Sequence, residues 1–465
     1  MRIIDRGRVL VLAACVSVAT GSYAQAPVPA IQGNLTPVLA TEAQETTVTP
    51  DEHLLSGGQV LGIGLSGSRH SFLLPSLRVS ETLDSNPLLL STNNGSYRGF
   101  ADFGGSLRWI QYFGRDAGLS YSGAVRYDSR ARVQGYDQFT NAHSAAIDRI
   151  IRFNSWNLLV VDAVQYSQGS SFGASGMEGM GLVSVPTNLS GMQWSPTTLR
   201  SDLTPSQSIL IGRVGTVANT ALLELDVRLN ARDSISLETS YGLLHFNSSL
   251  FTDTYKLSAI GGYNRRLTSR DSIALEGAYS RITYQQPDTT IDTEYFSALY
   301  ARRITGRSSM ELGGGPEITQ ERVSGVDKQY PGWQARGTVR YQLSRLSLSA
   351  TGERAVTSGA GVLEGATSST GRGTVSFAIE RSWTTSLAAG VSRNQELTSA
   401  QRYDMQFASI VLNHKIGRYA GLFLSYDFQH QTTGSVCTGP ACGYTGLRNV
   451  FGIGFAWDYR PIGIE

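Results

Sequence analysis

Residues 221–230 read Ala-Leu-Leu-Glu-Leu-Asp-Val-Arg-Leu-Asn, and this stretch decides the fold. Leucine or valine stands at positions 223, 225, 227 and 229, and a polar residue follows each of them. In an extended strand successive side chains point to opposite faces, so the segment has one aliphatic face and one polar face. The alternation recurs at 119–128, 333–343 and 451–459, which predicts amphipathic strands along most of the chain.

The composition of the 465 residues favours a β-sheet with lipid on one face and water on the other. Only 16% of the residues are charged, 51 are glycine, and the net charge is +2; about 25% charged residues is typical of globular proteins. After the first 25 residues no apolar run is long enough for a transmembrane helix, which needs about 20 residues. These features are typical of strands that face lipid on one side and water on the other. The near-neutral charge gives no support for nucleic-acid binding.

Short and long connections alternate along the chain. The short polar turns lie near 114–116, 154–155, 231–233, 269–271, 305–307, 344–345, 381–382 and 416–418, and the longer connections span 83–97, 129–140, 168–215, 247–253, 286–292, 322–331, 356–369, 396–402 and 432–446. This layout predicts an all-β fold, a transmembrane up-and-down antiparallel β-barrel of about 18 strands (roughly 16–18). The turns would lie on the periplasmic side together with both chain ends, and the longer connections would be extracellular loops.

A soluble all-β protein is the alternative, because its strands bury one face in a core and alternate in the same way. Two features favour the membrane. Many segments run for about ten residues or more, close to the 9–11 that a tilted strand needs to cross a bilayer. Aromatic residues such as Trp109, Trp156, Tyr255, Trp383 and Tyr459 stand near strand ends, where barrels collect them at the membrane interfaces.

The beginning of the chain is predicted to be an export signal followed by a tail. Residues 1–24 combine three arginines, an apolar stretch and a small-x-small sequence that ends at Ala24, which predicts cleavage near Ala24. An alternative is a lipoprotein signal that ends in an acylated Cys15, but too few apolar residues precede it. Residues 25–58, rich in Pro, Thr, Ala and Gln, are predicted to be a flexible periplasmic tail. Residues 59–465 are predicted to form the barrel, with 168–215 as its long extracellular loop.

Two cysteines stand close together in the last long connection. Cys437 and Cys442 flank a Gly-Pro pair in a chain expected to be exported, which favours a small disulfide loop. A metal site is the alternative, but no histidine lies inside the loop and two thiols are too few ligands.

The segment Ser76–Asn86, Ser-Leu-Arg-Val-Ser-Glu-Thr-Leu-Asp-Ser-Asn, resembles the opening strand of the β-barrel porin families of Gram-negative outer membranes. Those families begin with a strand, an acidic-Thr or acidic-Tyr step, and an Asp-x-Asn turn. Some members accompany exopolysaccharide or exosortase gene clusters. The aromatic last strand also resembles an outer-membrane assembly signal, although residues 460–465 follow it in place of a terminal Phe. The resemblance implies a barrel over about 73–465.

No catalytic arrangement is recognisable, and we expect neither an enzyme nor a cofactor nor a metal site. No nucleophile elbow or phosphate-binding loop is present, and the six histidines show no metal-ligand spacing. The polar strand faces carry both signs of charge, which predicts cross-strand ion pairs, a charged constriction, or both. The predicted lumen-lining residues are Asp102, Arg108, Arg126, Asp128, Glu224, Asp226, Arg228, Glu238, Glu276, Arg336, Arg340, Arg372 and Glu380.

The sequence therefore predicts a porin-like channel in the cell outer membrane, through which small polar solutes or ions diffuse passively. The connection 168–215 is a candidate to fold inward or cover the mouth. An accessory barrel with a closed lumen, linked to exopolysaccharide export or surface assembly, is the alternative, and a surface adhesin is a third. The expected partners are outer-membrane lipid, lipopolysaccharide and the barrel-assembly machinery, with no nucleic acid. The oligomeric state is left open.

Overall fold

The computed structural model describes the barrel strands and part of their connections. The described residues are 71–86, 97–112, 116–128, 138–167, 209, 214–285, 288–323, 325–359, 362–380, 382–417, 419–434, 445–459 and 462–464. The predicted signal peptide 1–24, the tail 25–58, residues 59–70, Cys437 and Cys442 lie outside this part of the chain. So does the connection 168–215, except for Ile209, Val214 and Gly215.

In the part of the chain that the structure describes, nineteen antiparallel strands make up a single sheet. They are β1 (Ser71–Asp84), β2 (Arg98–Tyr112), β3 (Asp116–Tyr127), β4 (Phe139–Arg152), β5 (Trp156–Ser167), β6 (Thr216–Arg228), β7 (Asp233–Phe246), β8 (Thr254–Arg266), β9 (Asp271–Tyr284), β10 (Thr289–Thr305), β11 (Ser308–Val323), β12 (Val326–Gln342), β13 (Leu346–Thr357), β14 (Ala366–Ala378), β15 (Trp383–Glu396), β16 (Arg402–Lys415), β17 (Ala420–Thr433), β18 (Gly446–Asp458) and β19 (Ile462–Ile464). Within the described residues, no helix is long and apolar enough to cross a bilayer.

Each strand from β1 to β18 pairs with the strands before and after it, and β1 pairs with β18 to close the ring. At this seam Ser76–Asp84 lie opposite residues 450–458, and the short β19 continues the pairing beside Ser71–Leu73. Closure removes the unpaired edges that an open sheet would expose to lipid. The predicted up-and-down antiparallel barrel and its strand number are confirmed.

The two faces of the wall differ as the alternation predicts. Leu223, Leu237 and Leu275 are 42%, 50% and 49% exposed, whereas the next residues along their strands, Glu224, Glu238 and Glu276, are 4%, 3% and 1% exposed. Because the large aliphatic side chains that are exposed lie on one face of the strands, apart from Val326 at the tip of the β11–β12 hairpin, that face points outward to lipid and the other face points into the barrel. This parity assigns the inner and outer positions used below.

We call the end of the barrel with the tight turns the periplasmic end, and the opposite end the extracellular end. One predicted extracellular loop is much shorter than expected. Instead of a connection over 322–331, Val323 lies directly opposite Val326, and Gly325 adopts a positive φ of 82° in the turn. The hairpin of β11 and β12 therefore extends further than the alternation indicated.

The hairpins recur with nearly constant length. Strands β7, β9, β11, β13, β15 and β17 begin at positions 233, 271, 308, 346, 383 and 420, so successive hairpins begin 37 or 38 residues apart. Two of the periplasmic segments are closely similar in sequence: 263–272 reads Tyr-Asn-Arg-Arg-Leu-Thr-Ser-Arg-Asp-Ser, and 300–309 reads Tyr-Ala-Arg-Arg-Ile-Thr-Gly-Arg-Ser-Ser. We call these two segments the arginine repeats.

Candidate functional site

The inner wall near the extracellular end carries a row of buried ion pairs on β1, β2, β3 and β18. Arg448 bonds Asp84 through Nη2 at 2.6 Å, and Arg98 lies 3.1 Å from Asp128. Between them Arg126 Nε donates to Asp102 at 2.6 Å. Three arginines are thus paired with three aspartates on four neighbouring strands, and Arg78 of β1 also lies near Asp102.

A buried apolar cluster covers the adjoining part of the inner wall, from β4 to β8. Leu159 and Val161 of β5, Leu222 of β6 and Leu244 of β7 belong to it and are at most 8% exposed. Such residues would meet water in an empty lumen, so their burial requires contacts inside the barrel. Val362, from the connection between β13 and β14, is one of the residues packed against them.

The connection between β13 and β14 folds into the barrel. Strand β13 pairs with β12 only as far as Arg354, while its pairing with β14 continues to Thr357. Beyond Arg354 the strand leaves the wall, and Val356 packs with Ile282 and Ile291 on β9 and β10. We call the described residues of this connection, 355–359 and 362–366, the inward hairpin.

Hydrogen bonds and a glycine fix the inward hairpin in place. Tyr284 Oη donates to the carbonyl of Ser358 at 3.0 Å, and Thr289 Oγ1 donates to Glu364 Oε2 at 3.4 Å. Gly365 has a positive φ of 81°, and a side chain there would also collide with Ile291. Burial raises the pKa of the Glu364 carboxyl; the Thr289 bond opposes this shift, and nearby Glu396 adds to it.

The tip of the hairpin reaches the other walls of the barrel. Leu363 is 1% exposed and packs with Ile209 and with Tyr403 of β16, while Val362 contacts both this group and the apolar cluster of β4–β8. Ile209 belongs to the long connection 168–215 and is itself buried. The inward hairpin therefore narrows the lumen at its extracellular end, and one described residue of the long connection packs against it.

Glycines on β11 let strands that are not neighbours meet across the inner wall. Arg336 of β12 bonds Glu276 of β9 at 3.1 Å, although β10 and β11 lie between them. Gln334 of β12 likewise donates to Ser297 of β10. Gly315 of β11 is at an inner position, and a Cβ there would collide with the carbonyl oxygen of Phe296. The absence of a side chain leaves room for the two contacts above β11.

The inner face of β12–β14 is polar and more accessible. Arg336 and Arg340 stand four residues apart on β12, and Arg372 on β14 lies opposite Thr351 of β13, at a level between them. Thr351 is exposed, and all three arginines are half-buried. Three guanidinium groups therefore line one side of the lumen below the inward hairpin.

More basic side chains stand at the periplasmic end of the inner wall. Arg228, Arg266 and Arg303 occupy the last inner positions of β6, β8 and β10, and Lys415 does so on β16. Each of these side chains is exposed or half-buried.

The carboxylates of the same region are much less accessible. Among the carboxylates whose side chains the structure describes there, Glu224, Glu238, Glu276 and Glu311 are between 1% and 4% exposed, and Asp226 and Glu353 are half-buried. Both signs of charge are present, but the charge that a solute would meet is mainly positive.

The predicted lumen-lining residues fall into three groups. Eleven of them occupy inner positions of described strands or, for Asp128, the residue directly after a strand: Asp102, Arg126, Asp128, Glu224, Asp226, Arg228, Glu238, Glu276, Arg336, Arg340 and Arg372. Arg108 lies in β2, but its side chain is outside the described part of the structure. Glu380 lies beyond the end of β14, in the exposed turn before β15, because the strand ends at Ala378.

The sequence reading missed the inward hairpin and the basic residues Arg266, Arg303 and Lys415. The hairpin left a signal, since Val362 and Leu363 are apolar residues within a glycine-rich connection that was expected to face water. Arg266 and Arg303 occupy equivalent positions in the two arginine repeats. Aligning successive hairpins would have found them.

No protein-family model matches the chain, and no curated protein matches it. Several solved structures are similar in outline. The outer membrane protein OpdK of Pseudomonas aeruginosa has 7% identity, covers 84% of this chain and 98% of its own, and superposes with a TM-score of 0.43. OccK2 (OpdF) of the same organism, solved with glucuronate, has 9% identity, covers 85% of this chain and 98% of its own, and superposes with a TM-score of 0.44. OccAB4 of Acinetobacter baumannii has 7% identity, covers 84% of this chain and 99% of its own, and superposes with a TM-score of 0.44. What each of these proteins binds is a property of that protein.

Proposed function

We propose that the chain is a passive diffusion channel of the Gram-negative outer membrane, which admits small polar solutes and prefers anions. The observation that carries the proposal is the contrast inside the barrel between accessible arginines and buried carboxylates. A ring of 18 strands is wide enough for a water-filled lumen unless something fills it. Its outer face is apolar, and its inner face outside the apolar cluster of β4–β8 is mainly polar, as a pore through lipid requires.

The preference for anions follows from which charges a solute can approach. Arg340 and Arg372 point into the lumen and are half-buried, whereas Glu276 and Glu311 are almost fully covered. Water screens an exposed charge, but a charge in a narrow polar lumen with low-dielectric walls concentrates the opposite ion. The inward hairpin sets the upper size limit, because it narrows the path above these arginines.

The test is conductance of the purified full-length barrel in planar bilayers under a salt gradient. The reversal potential reports whether chloride or potassium crosses faster. We expect chloride preference, and we expect Arg340→Gln with Arg372→Gln to reduce it severalfold. Arg336 is unsuitable for this test because its removal would take this ion pair from the buried Glu276 carboxylate and destabilise the barrel.

The matched control is Arg281→Gln with Arg322→Gln. These two arginines lie on the outer face near the extracellular end, where they bond Asp292 and Asp327. They should leave the reversal potential unchanged. A folded barrel with no conductance would overturn the channel and favour a closed accessory barrel, while cation preference in the unsubstituted protein would overturn the anion selectivity.

A further inference from the structure

The arginine repeats concentrate positive charge at one sector of the periplasmic rim. Each repeat places one arginine on the outer face (Arg265 or Arg302) and the next one on the inner face (Arg266 or Arg303). A third arginine stands in the exposed turn of each repeat. The outer pair plays no part in the proposed solute path, since it faces away from the lumen.

In the first repeat a neutral network occupies the carboxylate that would otherwise bind the outer arginine. Tyr263 Oη donates to Asp233 Oδ1 at 2.6 Å, and Asn230 Nδ2 donates to Asp233 Oδ2 at 2.7 Å. Arg265 Nε stays 3.9 Å from Asp233, beyond hydrogen-bond distance, and its side chain is 53% exposed. The aspartate therefore lies near the guanidinium while both of its oxygens accept bonds from other groups.

The second repeat has the same arrangement one hairpin further along the rim. Tyr300 Oη and Thr268 Oγ1 each donate to Asp271 at 2.7 Å. Arg302 Nε is 3.7 Å from Asp271, and its side chain is 52% exposed. Two guanidinium groups are thus presented outward by the same geometry, two strands apart, which is about 10 Å in a sheet.

The position of the two arginines matches the headgroup layer of a bilayer. Arg265 lies directly opposite Ile273, and Tyr263 precedes it by two residues on the same outer face. Further along the outer face of β9, Leu275 is 49% exposed and belongs to the apolar surface that faces the acyl chains. Tyrosine and arginine at the edge of such a surface are the side chains that favour the interface between lipid and water.

We propose that Arg265 and Arg302 form a binding site for the phosphate groups of anionic phospholipids in the periplasmic leaflet. Guanidinium groups bind phosphate through directed hydrogen bonds, and these two stand half-exposed on the outer face, beyond hydrogen-bond distance of the nearby aspartates. Tyr263 and Tyr300 are positioning residues, because their hydroxyls hold the aspartates. The proposal depends on the barrel spanning a membrane and does not depend on conduction.

A lipid fits the site better than a periplasmic protein or polymer. The arginines of the turns, such as Arg270 and Arg307, are exposed at the end of the barrel, where a partner in the periplasm could reach them. Arg265 and Arg302 instead stand on the lateral surface, one step from exposed apolar side chains, where a soluble partner would have to displace lipid.

The experiment compares the association of two spin-labelled lipids with the full-length barrel in phosphatidylcholine vesicles. The probes are phosphatidylglycerol and phosphatidylcholine, and the readout is the ratio of their association constants. Each arginine near a membrane surface gives about a fivefold preference for an anionic lipid. We expect Arg265→Gln with Arg302→Gln to lower the ratio by about fivefold to about twenty-fivefold, and added salt to weaken it in the unsubstituted protein.

Arg281→Gln with Arg322→Gln is the matched control for charge. Those arginines also stand on the outer face, but they donate directly to aspartate at 2.7 Å. Their loss should leave the ratio nearly unchanged. An equal fall of the ratio in both variants would overturn the proposal. No fall in either variant would also overturn it and would favour a soluble partner at the rim.

Asp233→Asn with Asp271→Asn changes the ratio in the opposite direction. Removing the competing carboxylates should raise the preference for phosphatidylglycerol, and a lower preference would contradict the proposed role of the arginines. Circular dichroism of each variant verifies the strand content, so that a misfolded barrel is not scored as a loss of lipid binding.

Discussion

At the scale of single residues, the ion pairs near the extracellular end hold inner side chains of β1, β2, β3 and β18 in place. Asp102 accepts bonds from Arg126 and from Thr82 Oγ1, and it lies directly opposite Arg126 in the register of β2 and β3. The alternation of the sequence predicted that both side chains point inward. It could not predict that they lie opposite each other, since the register of β2 and β3 depends on how the turn between Tyr112 and Asp116 joins the two strands.

We expect Asp102→Asn to destabilise the barrel by about 2 to 3 kcal/mol. The substitution keeps the shape of the side chain but leaves the Arg126 charge without its carboxylate, and only 26% of that side chain reaches solvent. Lumen water lowers the penalty below that of a fully buried pair. The measurement is the urea midpoint of unfolding, in detergent or lipid, followed by tryptophan fluorescence.

Asp327→Asn provides the comparison. Asp327 bonds Arg322 at the tip of the β11–β12 hairpin, where the two side chains are 63% and 57% exposed. An exposed pair contributes at most about 1 kcal/mol, so this midpoint should hardly move. If the two variants shifted it equally, burial would not be the source of the stabilisation.

At the scale of elements, the inward hairpin is the feature that sequence reasoning placed elsewhere. The residues of this connection were expected to form an extracellular loop, and the long connection 168–215 was the candidate to fold inward or cover the mouth. The outcome depends on β13 leaving β12 after Arg354, which no local pattern encodes. Val362 and Leu363 then pack inside the barrel with partners from β5–β8 and β16, all distant in sequence.

The inward hairpin should respond to pH through Glu364. Its carboxyl has a raised pKa when the hairpin is inside, so the inward position binds the proton more tightly than a released loop does. The stabilisation by protonation is present at acid pH and is lost as the pH rises through the raised value. We expect the conductance to fall when the pH is lowered from about 7 to about 5, because the hairpin is held in place more firmly.

Glu364→Gln separates this effect from general titration of the lumen. The neutral amide mimics the protonated carboxyl, so the variant should show the low conductance at both pH values. Glu321 and Glu396 also lie near Glu364 and remain in the variant. A pH response of full size in Glu364→Gln would assign the effect to those other groups.

At the scale of the whole molecule, most of the architecture was readable from the sequence. The alternation, the turns and the length of the segments predicted the barrel and about 18 strands, because lipid on one side and water on the other impose a simple two-residue period. No pattern in the sequence showed directly that the first and last long strands pair to close the ring. The pairing of β1 with β18 joins residues almost 400 positions apart, and only the requirement that no strand edge face lipid pointed to it.

A cysteine pair across the seam tests this closure. Leu83 and Phe451 lie opposite each other on the outer face, at the distance of directly paired residues. In a chain with Cys437 and Cys442 changed to Ser, Leu83→Cys with Phe451→Cys should form a disulfide under mild oxidation and give a closed chain of altered gel mobility. Leu83→Cys with Ile453→Cys is displaced by two residues and should cross-link far less; equal yields would contradict the register.

The even length of the hairpins has a consequence for how such a chain can change through descent. Each unit of 37 or 38 residues begins and ends at the periplasmic rim, and the seam is formed by β1 with β18 and the short β19. Copying or deleting one unit away from the seam would add or remove two strands, which is about 10 Å of the barrel's circumference. The seam itself would not change. Pore diameter is then a trait that duplication of a short coding segment can alter in discrete increments.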